Sequence, residues 1–273
     1  MLIAFFLAAG MASCSDNDEE EVKEVLPLIF EKTMYETSLI RIYNIPILSG
    51  NGSYSIKVEN PEVLDADPFL HEGNEIGYIQ LMSKRKGVTA LTVTDNVSGE
   101  TAKLTVTVTD GYMTFPVQRS NHPALDEHVW IYLINNDARE CYFMQGDDRD
   151  EYATSTILFR GTYQFSAEKA REKSKYYLTL VYASDENGKF TDAAIAPMQH
   201  KFDISGSDSE LFKIIPNYLP VNWGVPENAS SDVKVAPRLD MSHVYTLNMK
   251  EVGTEYEVIL TLSSRSIPEG VLK

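Results

Sequence analysis

Cysteine is nearly absent: the 273 residues contain two, Cys14 and Cys141, so the fold rests on packing rather than on a disulfide framework. Positive charge is also scarce. Lys and Arg total 24 against 40 Asp and Glu, a formal net charge of -16, which repels DNA and RNA instead of concentrating them and sets nucleic acid aside as a partner. Long apolar runs are missing too. The stretch from Met1 to Ala12 falls well short of the roughly 20 residues that carry a helix across a bilayer. HExxH, GxSxG, the Walker loop, the dinucleotide fingerprint and paired CxxC are all lacking, which removes the common signatures of hydrolases, kinases and redox enzymes.

What is present is enough apolar material, 43% hydrophobic and 10% aromatic, to bury a core, over a length that suggests about two domains. The acidity favours a dispersed surface protein and attracts divalent cations. At the N-terminus, Leu2-Ile3-Ala4-Phe5-Phe6-Leu7 has the length of a signal-peptide apolar region, and Met11-Ala12-Ser13 supplies the small residues of a processing site before Cys14. The run Met11-Ala12-Ser13-Cys14 resembles the lipobox of bacterial lipoproteins, in which the cysteine is acylated and becomes the mature N-terminus. Met11 stands where Leu is usual, and no positively charged segment precedes the apolar run. Ser15-Asp16-Asn17-Asp18-Glu19-Glu20-Glu21 resembles the surface-export signal of lipoproteins from one group of Gram-negative gut anaerobes; read plainly, it is a solvated tether that cannot pack. The expectation is a signal peptide over residues 1–13, an acidic tether over 14–31, and a lipid anchor at Cys14 in the outer membrane with the protein facing outward. With Cys14 acylated, Cys141 in Glu140-Cys141-Tyr142-Phe143-Met144 reads as a buried, inert thiol in a strand.

Residues 32–110 alternate with period two. Tyr54, Ile56 and Val58 share one face, Leu91 and Val93 another, and after the polar turn Asn96-Val97-Ser98-Gly99 come Leu104, Val106 and Val108 between threonines; this is a β-hairpin within an antiparallel sandwich. Asp95 is placed to cap the hairpin loop and Gly87 to permit the turn before its first strand. The runs from Tyr54 to Leu64, from Lys86 to Asp95 and from Leu104 to Val108 resemble the group-2 bacterial immunoglobulin-like domains over roughly 80 of the 273 residues. That resemblance implies an immunoglobulin-like sandwich acting as a spacer or adhesion unit, without catalytic apparatus.

Residues 111–273 carry strand-length apolar runs at Val129–Ile134, Tyr176–Tyr182 and Tyr256–Leu262, with a hairpin turn at Asn187-Gly188. They predict a second, larger β-sandwich, so the chain as a whole is all-β. One or two short helices are inserted: one over Ala167 to Lys175, and one after Ser207-Asp208-Ser209-Glu210, which has capping-box spacing.

Candidate sites are few. Asp147, Asp148, Asp150 and Glu151 crowd carboxylates into one loop, as a calcium site needs, and a solvated loop accounts for the same residues. Tyr218 and Trp223 lie in a proline- and glycine-broken stretch, Asn217 to Pro226, where flat rings can meet sugars; the alternative is that Trp223 plugs the end of the core. Trp130, inside an apolar strand, is core. His71, His122, His128, His200 and His243 show no metal-ligand spacing and read as structural or exposed, although folding could still assemble a site such as Asp126-Glu127-His128. The reading is a non-catalytic surface lipoprotein that binds a glycan or a host or surface protein through its C-terminal β domain. The alternatives are an accessory subunit of a surface assembly and, behind it, a hydrolase.

Overall fold

The computed structural model describes residues 24–39, 41–70, 76–147, 149, 151–169, 174–191, 196–221 and 242–272. The expected signal segment, Cys14 and the acidic run after it lie outside the described residues. The chain is nearly all β, as its sequence periodicity requires.

The first module contains β1 (Ile29–Phe30), β2 (Met34–Ser38), β3 (Ile42–Ser49), β4 (Tyr54–Val58), β5 (Leu64–Phe69), β6 (Tyr78–Ser83), β7 (Gly87–Asp95) and β8 (Thr101–Thr109). They form two four-stranded sheets, in the orders β1-β3-β6-β5 and β2-β8-β7-β4. Alternation dictates the packing: Ile45, Ile47, Ile79 and Leu81 from one sheet meet Leu91, Val93, Leu104 and Val106 from the other in one buried cluster, each contributing on the order of 1.5–3 kcal/mol by leaving water. The Asn96–Gly99 turn joins β7 and β8 in the expected antiparallel hairpin, with Leu91 opposite Leu104. The last residues of the 14–31 segment are fixed against this module. Asn51 ties both backbone groups of Leu26, the Leu28 N–H donates to Glu100, and β1 pairs with β3.

One residue, Asp110, separates β8 from β9 (Gly111–Ser120). The strands that follow are β10 (Val129–Asn135), β11 (Glu140–Gly146), β12 (Ala153–Lys169), β13 (Ser174–Tyr182), β14 (Met198–Asp203), β15 (Thr246–Glu251) and β16 (Glu257–Thr261). The expected larger sandwich is instead one sheet closed on itself. β16 pairs back onto β9, through Val258↔Ser120 and Leu260↔Val117, and closure leaves no edge strand to protect. Met113, Phe115, Phe143, Phe165, Leu180, Phe202, Leu247 and Leu260 fill the interior. The thinnest seam is β14–β15, with only Phe202↔Glu251 and Asp203↔Lys250 in register.

Two local expectations are corrected. The described ends of the segment expected to be helical, Ala167 to Lys175, are strand: Ala167–Lys169 ends β12 and pairs with Ser174–Tyr176 of β13, while residues 170–173 lie outside the described residues. Cross-strand pairing of β12 with β13 overrides the local helix propensity of those ends. The second helix does form, as α1 (Leu211–Tyr218), and its Leu211 and Ile215 close one end of the barrel. Its capping box does not form. Ser207 instead exchanges hydrogen bonds with the backbone of Asn248, while Asp208 accepts the Glu210 N–H.

Beyond β16 the chain turns back over the barrel wall. Ile267, Val271 and Leu272 cover an outer-face cluster of Tyr112, Trp130, Tyr132, Tyr142 and Met144. Trp130 is therefore buried, as expected, but beneath this C-terminal strap and not inside the barrel. Cys141 is fully buried inside it, and burial pushes its thiol far above the ordinary range, so it is inert to oxidation and exchange.

Candidate functional site

The strap also joins the modules. Arg41 donates to the Ser264 and Arg265 carbonyls and to Ser266 Oγ, Lys32 pairs with Glu269 at 2.6 Å, and the Gly270 N–H donates to Glu36. Between strap, first module and barrel lies a cleft of about 1230 Å³. Its walls carry Tyr43, Phe69 and Tyr78 from the first module and Tyr112, Tyr152 and Tyr218 from the second. Phe69 stacks on Tyr78 at 4.8 Å, and the Arg265 guanidinium lies 4.1 Å above the Tyr152 ring. Tyr152 and Phe69 are 48% and 43% exposed, so both present ring surface to solvent. Asn44, Gln80, Ser264 and Ser266 add hydrogen-bonding groups.

Of the sequence candidates, Tyr218 lies in this cleft, at the C-terminus of α1. Burial raises its phenol above the ordinary value, with Arg41 opposing. Trp223, Asp148 and Asp150 lie outside the described residues. Asp147 spends Oδ1 on the backbone N–H groups of Glu151 and Tyr152, the work of a turn cap, while Glu151 is exposed.

A second constellation sits where the β9–β10, β13–β14 and β15–β16 connections meet, at the barrel end opposite α1. His200 Nδ1 lies 2.7 Å from Glu251 Oε1, and His200 Nε2 lies 2.8 Å from Ser184 Oγ. His122 Nε2 lies 3.8 Å from Glu251 Oε2 and 3.5 Å from the Tyr182 hydroxyl. The Ala124 N–H donates to His122 Nδ1, so the neutral ring carries its proton on Nε2. Thr254 donates to Glu251 Oε2, and Tyr182 stacks on His200 at 4.3 Å. The order serine, imidazole, carboxylate is that of a nucleophile, base and orienting group. Ser184, however, is 1% exposed, so its Oγ is closed to solvent.

Spacing along the sequence does not bring these histidines together. The signal available was that His200 continues the inward stripe with Phe202, and Glu251 that of Leu247 and Met249: titratable residues in apolar, core-facing positions.

Desolvation lowers the His122 pKa from 6.5 to about 4, against the attraction of Glu251 and with repulsion from His200. The folded protein thus holds this ring neutral, while the unfolded chain takes up a proton below pH 6.5. Stability contributed by the neutral ring is complete above 6.5 and falls away as pH drops toward about 4. Thermal melts across that window should show a declining midpoint in the native chain and a flatter profile in His122→Gln, which cannot titrate.

No family model and no curated protein matches this chain. Among solved structures, domains 5–6 of the S-layer protein SbsC align at TM-score 0.28 and 10% identity, over 66% of this chain and 97% of that one. Domains 1–6 of the same surface layer protein align at TM-score 0.28 and 13% identity, over 67% of this chain and 24% of that one. At these scores the alignments carry no argument about fold or function. Among the described residues no helix is long and apolar enough to cross a membrane.

Proposed function

We propose that this chain is a non-catalytic surface lipoprotein that captures a glycan in the cleft between its modules. The observation that carries the reading is six aromatic rings lining about 1230 Å³ beside amide, hydroxyl and guanidinium groups. Small-molecule sites cluster at domain interfaces, typically at about 300–1,000 Å³, so this cleft has room for more than one sugar ring. Sugars present C–H faces that stack on aromatic rings and hydroxyls that need donors and acceptors nearby. In this proposal Cys14 carries the lipid, the acidic run after it holds the protein off the outer membrane, and the first module, read as a bacterial immunoglobulin-like domain, acts as spacer and supplies one wall of the cleft.

The test is a glycan array with the lipid-free chain, followed by titration of Tyr152→Ala and Tyr218→Ala. Loss of one stacking face should weaken binding about tenfold each, the loss of roughly 1.4 kcal/mol. Unchanged affinity in both variants would move the site elsewhere, and a chain that retains no glycan would favour the accessory-subunit role. The anchor is checked separately: Cys14→Ala should free the protein from the cell envelope.

A further inference from the structure

We propose that His122, His200 and Glu251 form a site for one divalent first-row transition metal ion, zinc by donor set, which pins the loops at one end of the barrel. This inference is independent of the glycan reading. Three ligand atoms, one from each residue, lie within 4.8 Å of one another, and all three residues are buried. Two imidazoles and one carboxylate form a known three-ligand zinc set, with bonds of about 2.0–2.2 Å. Their preference is for zinc, copper or nickel over magnesium or calcium.

The electrostatics favour such an ion. Glu251 is 8% exposed, and among the described residues its ion pairs run only to His122 and His200. A buried carboxylate with no Lys or Arg partner among the described residues lacks a fixed countercharge, and a cation offsets that desolvation cost. The surrounding shell is already in place for His200. With Nδ1 on the metal, its Nε2–H donates to Ser184 Oγ, now 2.8 Å away, and Tyr182 holds the ring plane; such partners on the far nitrogen orient metal-bound histidines.

Loading the site rearranges it in a defined way. The 2.7 Å hydrogen bond from His200 to Glu251 opens, and the 3.8 Å gap between His122 and Glu251 closes, toward the roughly 3.4 Å edge of a tetrahedron with zinc bond lengths. Each imidazole moves its proton to its other nitrogen. On His122 that displaces the Ala124 N–H, so the turn after β9 shifts with metal. The ion would bind the β9–β10 loop and β15 to β14 across the seam that has two backbone pairings.

The full chain is stripped with chelator and titrated with zinc chloride at neutral pH. One equivalent should bind and raise the melting midpoint by roughly 5–10 °C at a hundredfold excess over Kd, while magnesium leaves it unchanged. Cobalt(II) added to the stripped native chain should give the intense visible bands of a four-coordinate site, a readout that needs no variant. Glu251→Gln and His122→Gln should lose the zinc-induced shift. No shift and no cobalt bands would overturn the proposal and leave a purely hydrogen-bonded cluster. Equal zinc binding by folded His122→Gln and Glu251→Gln would overturn it by placing the ion elsewhere.

Discussion

Phe202→Ala is expected to cost about 3–5 kcal/mol and to lower the thermal midpoint by on the order of 10 °C. Phe202 is fully buried and stands on β14, where two register pairs join that strand to β15. Elsewhere in the barrel a cavity can be bridged by long backbone ladders, such as the eight pairs between β12 and β13. At this seam side-chain packing substitutes for missing backbone hydrogen bonds, and the His122 ring, 5.9 Å away, packs on the same side chain. Urea titration reads the effect directly. A loss below about 1 kcal/mol would show that the seam does not depend on this packing.

Asp95→Ala is the second large effect, about 3 kcal/mol. The carboxylate is fully buried at the end of β7. Its Oδ1 accepts the N–H groups of Val97 and Ser98, and its Oδ2 accepts the backbone and side-chain N–H of Asn51. Burial alone would raise its pKa, but the hydrogen bonds led by Asn51 outweigh it and hold the group below its ordinary 3.8. Alanine leaves four donors without that acceptor, and Asn51 in turn anchors Leu26. Because the folded value is depressed, the stabilisation is present above 3.8 and disappears as pH falls through the folded value. The gap between variant and native stability should therefore be widest near neutrality and shrink in strong acid. A gap independent of pH would mean that the carboxylate charge is not what holds the turn.

These cases mark what the sequence discloses. The Asp95 hairpin was legible because its turn is local: period-two alternation fixes the faces, and a short acceptor after Val93 meets N–H groups two and three residues on; the bonds from Asn51, 44 residues away, were not. Tyr218, expected in the broken stretch from Asn217 to Pro226, is instead the last residue of α1, a helix that carries Pro216 inside it. Barrel closure was not legible. It depends on β16 finding β9, a pairing between strands at opposite ends of the module, and alternating strands are equally compatible with an open sandwich until that pairing forms. The His122–His200–Glu251 cluster was hidden for the same reason, its ligand atoms coming from the β9–β10 loop and from strands β14 and β15, with His200 and Glu251 51 residues apart. Where a helix was expected over Ala167 to Lys175, the described ends Ala167–Lys169 and Ser174–Lys175 are strand instead, because β12 and β13 pair there, a cross-strand pairing that local helix propensity does not reveal.

The pairing of β2 with β8 has a mechanical corollary. The two strands run parallel, with five residue pairs from Met34↔Thr105 to Ser38↔Thr109, and β8 continues into the barrel through one residue. Tension between the N-terminus and an object gripped near the barrel would pull β2 and β8 past each other lengthwise, so all of these bonds share the load at once. β1, with two paired residues, lies outside that clamp and would peel first, giving the chain a short extensible lead before a stiff stop.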